Sequence, residues 1–101
     1  MTKVTLLTQD DCTLCDHAKN VLTRVRADHP LEVQEIRLDS PEGRALALQH
    51  AVLFAPGVLL DGPLFSHGRL SEKRLRRILE RAAVTASVAG KQPTSRKAGA
   101  L

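Results

Sequence analysis

The chain has 101 residues, of which 43% are hydrophobic, and it carries a formal net charge of +4. This length favours one domain, and two cysteines are too few for the disulfide framework of a small secreted fold. No apolar run approaches the roughly 20 residues that a membrane-spanning helix needs, and Met1 is not followed by the apolar segment of a signal peptide. We therefore expect a cytoplasmic protein with no membrane partner. In that reducing compartment a close cysteine pair more often serves catalysis or metal binding than structure.

The positive charge is concentrated in the second half of the chain, on the last predicted helix and the tail. No aromatic side chain that could stack on a base is interspersed among these basic residues. The pattern favours a solvated helix face over a nucleic-acid partner.

Hydrophobic periodicity predicts the element order β-α-β-α-β-β-α. The predicted elements are residues 4–8, 13–28, 31–38, 41–50, 57–60, 64–67 and 72–85. Residues 1–85 are expected to form the domain. Residues 86–101, which are rich in small, basic and turn-forming residues, are expected to form a disordered tail.

Two predicted elements contain an irregular feature. The alternation of the second strand changes phase between Val33 and Ile36, which predicts an edge strand with a β-bulge. The second helix has a strong start at Ser40 and Pro41, but Gly43 should weaken it.

The only cysteines, Cys12 and Cys15, lie three positions apart at the start of the first predicted helix. Side chains three apart share one helix face at about 5–6 Å between Cβ atoms, close to the separation that a disulfide requires. The helix N-terminus favours a thiolate at Cys12. The sequence therefore predicts Cys12 as the nucleophile and Cys15 as the resolving thiol.

Charged neighbours should modify this thiol. Three aspartates flank the pair: Asp10, Asp11 and Asp16. Their negative charge should raise the pKa of the Cys12 thiol, and Lys19 and His17 should partly compensate.

Two other interpretations of the pair stay open. The cysteines can be buried neighbours without a role. Alternatively, they can bind zinc with His17 and a fourth ligand such as His50 or His67, although no His-x₃₋₅-His pair is present. The sequence favours neither of them, and we predict no metal and no cofactor.

With these features the chain resembles the glutaredoxin-like branch of the thioredoxin superfamily. The resemblance rests on Cys12-Thr13-Leu14-Cys15 after a strand, on Ala55-Pro56 some forty residues later, and on the Asp61-Gly62 turn. It covers roughly residues 3–83. It implies an α/β thioredoxin-like fold with a four-stranded mixed sheet and three helices.

The resemblance also implies site residues. Pro56 would follow a cis peptide bond beside the cysteines, and the backbone of Ala55 would pair with an extended substrate. Thr13 and Leu14 would line the substrate site, and Arg69 could meet a carboxylate.

The implied function is thiol-disulfide exchange on a protein or small-thiol disulfide, with a thiol or a reductase as electron donor and a monomer as the active form. The chain departs from the glutaredoxin pattern between the cysteines and at His67-Gly68-Arg69, so the small thiol need not be glutathione. The alternative is a non-catalytic module of the same fold that senses redox state or binds a partner protein.

Overall fold

A computed structural model describes residues 1–91, with side chains described up to Ala82. The elements are β1 Thr2–Thr8, α1 Thr13–Arg26, β2 Leu31–Arg37, α2 Pro41–His50, β3 Gly57–Leu60, β4 Leu64–His67 and α3 Glu72–Lys91. The predicted element order is confirmed. Within residues 1–91, none of the helices combines the length and the hydropathy that crossing a membrane requires.

The four strands form one mixed sheet in the order β2-β1-β3-β4. β2 runs parallel to β1, and α1 makes the crossover that a parallel pair needs. β3 is antiparallel to β1, and β4 is antiparallel to β3. The expected four-stranded mixed sheet with three helices is confirmed.

Both faces of the sheet are covered, which explains why β1 contains two adjacent leucines. Leu6 packs on one face in a core built with α1 and α3, while Leu7 packs on the other face in a smaller core. Both side chains are fully buried. Since successive strand residues point to opposite faces, only a strand covered on both sides needs adjacent leucines.

The predicted bulge in β2 is wrong. β2 lies at the sheet edge as predicted, but its seven residues pair with β1 in unbroken register, from Thr2 opposite Leu31 to Thr8 opposite Arg37. Val33 packs against the larger core and Ile36 belongs to the smaller one. The change of phase therefore reflects two buried faces rather than an inserted residue.

Gly43 has a packing role in α2 that the sequence did not reveal. A Cβ atom at this position would overlap the backbone carbonyl oxygen of Arg37. The missing side chain thus lets α2 approach the end of β2. The helix begins at its predicted cap, where the Gly43 N–H donates to the Ser40 Oγ at 3.0 Å.

The last helix begins as predicted, with the Arg74 N–H donating to the Ser71 Oγ at 3.2 Å. It then continues past the predicted limit at residue 85 to Lys91. The first part of the predicted tail is therefore helical. Residues 92–101 of that tail lie outside the described residues.

Candidate active site

Cys12 and Cys15 form a disulfide at the N-terminus of α1, with their Cα atoms 5.1 Å apart. Cys15 is only 2% exposed, whereas Cys12 is partly exposed. The turn that precedes them contains Asp11 at a positive φ of 52°. An attacking group from solvent can therefore reach the sulfur of Cys12 more easily than that of Cys15.

The backbone of α1 presents donors to the Cys12 sulfur. Cys12 is the N-cap residue, with extended φ and ψ of −116° and 100°, and its Sγ accepts a hydrogen bond from the Cys15 N–H at 3.1 Å. Its carbonyl oxygen accepts from the N–H groups of Cys15 and Asp16, both at 3.1 Å. Because unpaired amides at a helix N-terminus stabilise an anion, this position favours a thiolate.

Pro56 follows a cis peptide bond to Ala55. The Ala55 carbonyl oxygen is 3.9 Å from the Cys12 Sγ, a contact rather than a hydrogen bond because the oxidised sulfur carries no proton. The segment is held in place because the Gly68 N–H donates to the Pro56 carbonyl at 2.8 Å. The loop before β3 therefore places a backbone carbonyl next to the exposed sulfur.

Asp10, one of the three aspartates that flank the cysteine pair, forms an ion pair with an arginine of β2. Arg37 donates to both carboxylate oxygens of Asp10, at 2.6 and 3.1 Å, and also to those of Asp39, at 3.0 and 2.9 Å. The hydrogen bond from Arg37 holds the pKa of the Asp10 carboxyl below its usual value and lowers the pKa of Asp39 in the same way. Asp10 thus has a cationic partner, Arg37, that the sequence analysis did not assign to it.

Sequence reasoning missed Arg37. The parallel register brings the last residues of β1 and β2 to the same edge, where Thr8 is paired with Arg37. That register, applied to the sequence, would have placed Arg37 near Asp10.

Lys19 and His17, which were expected to offset the negative charge of the aspartates, contact other groups. The Lys19 Nζ lies 3.5 Å from a carboxylate oxygen of Glu35 in β2. The His17 Nε2 lies 3.0 Å from the Leu70 carbonyl oxygen, to which its N–H form donates. His17 therefore ties α1 to the segment before α3. Among residues whose side chains are described, no three metal-ligating side chains come together.

The remaining predicted site residues differ in exposure. Thr13 is exposed and Leu14 is partly buried within the first turn of α1. Arg69 is exposed, two residues after the end of β4. Phe54, the residue before Ala55, is exposed, and its ring centroid is 5.4 Å from that of His67.

Comparison with protein-family models gives the family of this chain. Residues 3–80 match the family model described as the glutaredoxin-like domain (DUF836). No curated protein matches the chain.

Solved structures with the same fold include thioredoxins. A mutant thioredoxin from Halobacterium salinarum is 24% identical with a TM-score of 0.62, and the match covers 79% of this chain and 73% of that one. An uncharacterised thioredoxin-like protein from Clostridium perfringens is 18% identical with a TM-score of 0.66, covering 83% and 72%. Thioredoxin 1 from Thermosipho africanus is 17% identical with a TM-score of 0.64, covering 84% and 98%. At these identities the likeness establishes the thioredoxin-like fold.

Proposed function

The chain belongs to the glutaredoxin-like domain family, and from that premise we propose that it is a dithiol-disulfide oxidoreductase. The observation that carries the proposal is the disulfide between Cys12 and Cys15 at a helix N-terminus, with the Ala55 carbonyl oxygen 3.9 Å from the Cys12 sulfur. The family and the cysteine pair support a redox-related role. The specific exchange reaction is our proposal.

In the reduced protein, the Cys12 thiolate attacks one sulfur of a substrate disulfide. A Cys12–substrate mixed disulfide forms, and the other substrate sulfur leaves as a thiolate. Cys15 then attacks the Cys12 sulfur, which releases the second substrate thiolate and closes the Cys12–Cys15 disulfide. Two electrons pass from the protein dithiol to the substrate. The released thiolates take up the proton of the Cys15 thiol and the proton that Cys12 gave to solvent when it ionised.

The roles of the two cysteines follow from exposure and hydrogen bonding. Cys12 is the more accessible sulfur and accepts the Cys15 N–H, so its thiolate is stabilised and can reach a substrate. Cys15 is buried, so it attacks the Cys12 sulfur only after that sulfur has joined the substrate. Pro56 shapes the loop that presents the Ala55 carbonyl, and Thr13, Leu14 and Ala55 line the approach to Cys12.

Turnover requires a reductant for the Cys12–Cys15 disulfide. We propose a small thiol or a reductase as donor, and a protein or small-thiol disulfide as substrate. Arg69 is the proposed contact for a substrate carboxylate. We propose that the cycle runs in the reducing cytoplasm and that residues 1–85 form the catalytic unit and act as a monomer.

Trapping the intermediate tests this proposal. The reduced Cys15→Ser variant, mixed with a protein disulfide such as insulin, should accumulate a mixed disulfide through Cys12, detected as an adduct by mass spectrometry. The matched Cys12→Ser variant should form none, since its remaining thiol is buried. Adducts in equal yield from the two variants would refute the roles, and no exchange by the wild-type protein would refute the activity.

A further inference from the structure

His17 is a partly buried histidine of α1 to which the exchange reaction assigns no role. Its Nε2 lies 3.0 Å from the carbonyl oxygen of Leu70, a residue 53 positions further along the chain. Leu70 is fully buried, so its carbonyl oxygen has no access to bulk solvent. Because a buried carbonyl without a donor is costly, such groups are nearly always hydrogen-bonded.

The helix that follows Leu70 does not supply that donor. The backbone hydrogen bonds of α3 start one residue later, where the Leu75 N–H donates to the Ser71 carbonyl at 3.0 Å. Among the backbone amides that the structure describes, none donates to the Leu70 carbonyl. His17 is therefore the donor for this carbonyl, with a proton on Nε2.

The Leu70 carbonyl lies two residues from a hydrogen bond that holds Pro56. The Gly68 N–H donates to the Pro56 carbonyl at 2.8 Å. Only one residue separates Gly68 from Leu70, so a Leu70 carbonyl that turned towards solvent would displace the Gly68 N–H as well. The hydrogen bond from His17 thus also fixes the donor of Pro56.

Pro56 in turn follows the residue that contacts the exposed sulfur. The Ala55 carbonyl oxygen lies 3.9 Å from the Cys12 Sγ. His17 and Cys12 are five residues apart at the start of the same helix. That helix therefore holds the sulfur directly and holds the Ala55 carbonyl through His17.

We propose that His17 is a positioning residue for disulfide exchange, which keeps the Ala55 carbonyl at its distance from the Cys12 sulfur. An extended polypeptide that pairs with the Ala55 backbone then has its disulfide aligned for attack. A small-thiol disulfide has no backbone to pair, so its reaction depends on the Cys12 thiolate alone. This inference rests on the proposed oxidoreductase function and names the residue that favours polypeptide disulfides at the same site.

The first experiment measures the coupling in the oxidised protein, without turnover. His17→Asn has an amide too short to reach the Leu70 carbonyl, and His17→Leu has no donor. In both variants the Gly68 amide hydrogen should exchange with solvent about tenfold faster than in the wild type, as measured by NMR. His17→Gln places an N–H group at about the reach of the histidine Nε2 and should keep the wild-type rate. Unchanged Gly68 exchange in the donor-free variants would refute the coupling.

The second experiment measures single-turnover rate constants of the reduced protein with two probes. One is a peptide whose cysteine carries a chromophoric thiol as a mixed disulfide, and the other is hydroxyethyl disulfide. In His17→Asn and His17→Leu the rate constant for the peptide should fall about tenfold, while that for hydroxyethyl disulfide should stay within about twofold. His17→Gln should retain both. Alkylation of Cys12 by iodoacetamide should proceed at the same rate in all variants, because it does not use the Ala55 carbonyl.

Arg24 offers the matched control, since it joins the same two helices further from the site. Its Nε donates to a carboxylate oxygen of Glu72, the first residue of α3, at 2.9 Å. Arg24→Gln should leave the ratio of the two rate constants unchanged. A loss equal to that of His17→Asn would show that any weaker link between α1 and α3 has this effect, and would refute a specific role of His17.

The outcomes distinguish the two proposals. If the reduced wild-type protein reacts with neither probe, the oxidoreductase proposal fails, and the role of His17 in it fails too. If the wild type reacts with both probes but the donor-free variants keep the peptide rate, His17 is not a positioning residue and the oxidoreductase proposal still stands. The same conclusion follows if His17→Gln loses as much of that rate as His17→Asn.

Discussion

The helices α1 and α2 begin with the same hydrogen-bond geometry, but only α1 begins at a sulfur. The Cys12 Sγ accepts from the N–H three residues on at 3.1 Å, and the Ser40 Oγ accepts from the corresponding N–H at 3.0 Å. In α2 these amides only stabilise the helix start. In α1 the same donors stabilise a group that can ionise and exchange bonds.

The surroundings of the two caps also differ. The Ser40 Oγ is engaged on both sides, since it donates to the Arg37 carbonyl at 2.6 Å, and Gly43 brings α2 against that carbonyl. Cys12 instead contacts the Ala55 carbonyl and remains partly exposed. Chemistry is thus possible where the cap atom is accessible and a second sulfur lies three residues further on.

The largest expected effect comes from replacing Cys12, the N-cap of α1, with serine, the residue that caps α2. Cys12→Ser should lower the rate of disulfide reduction by about a thousandfold or more, because the nucleophile is removed. A serine caps a helix well, so the unfolding free energy should stay within about 0.5 kcal/mol of that of the reduced wild-type protein. Both are measurable by turnover assays and urea unfolding.

Adding Ser40→Cys to the Cys12→Ser variant is the matched control. It puts a sulfur at the second cap, but Gly43 rather than a cysteine lies three residues on, so activity should not return. Activity restored by that sulfur would show that a capped thiol suffices without a resolving partner.

The next effect concerns the contact between α2 and β2. Gly43→Ala should lower the unfolding free energy by about 2–3 kcal/mol, because the new Cβ overlaps the Arg37 carbonyl. Urea unfolding shows whether the unfolding free energy falls or rises, since helix propensity alone predicts a rise of about 1 kcal/mol. Ala45→Gly, at an exposed position of the same helix, should cost about 1 kcal/mol by propensity. A stabilised Gly43→Ala variant would contradict the close approach.

A smaller effect is expected from removing a hydroxyl cap. Ser40→Ala should lower the unfolding free energy by about 1 kcal/mol, because the Gly43 N–H loses its acceptor. Ser71→Ala, at the start of α3, serves as the comparison and should cost the same or less, since its hydrogen bond is longer at 3.2 Å. Thermal unfolding of the two variants would contradict this ranking if Ser71→Ala were clearly the less stable.

The smallest effect is a pH dependence at the edge where β1 and β2 end. Arg37 lowers the pKa of Asp10 and Asp39 in the folded state. The ion pairs therefore stabilise the folded protein above the unfolded pKa of about 3.9. This stabilisation is lost as the pH falls through the folded pKa values. The difference in melting temperature between wild type and Arg37→Gln should be constant above about pH 5 and shrink below about pH 4.

Arg77→Gln removes the same charge from an exposed position of α3 and is the control for a general charge effect. A difference for Arg37→Gln that grows on acidification would contradict the assignment of the ion pairs.

Sequence patterns were reliable where the cause is local. Ser40, Pro41 and Ser71 mark helix starts because a cap depends only on residues within one turn. The sequence also indicated the cysteine pair, since its spacing and its position after a strand are local facts. Local patterns failed in β2, where the phase change between Val33 and Ile36 has its cause in two separate cores.

Local order in the chain therefore determined the element sequence, the helix starts and the position of the two cysteines, because each depends on neighbours a few residues away. Tertiary structure decided the pairing of Asp10 with Arg37, the need for glycine at position 43 and the place of Phe54 beside His67. Each of these joins residues from different elements. Such contacts depend on strand register and on which faces are buried, and both are properties of the assembled sheet.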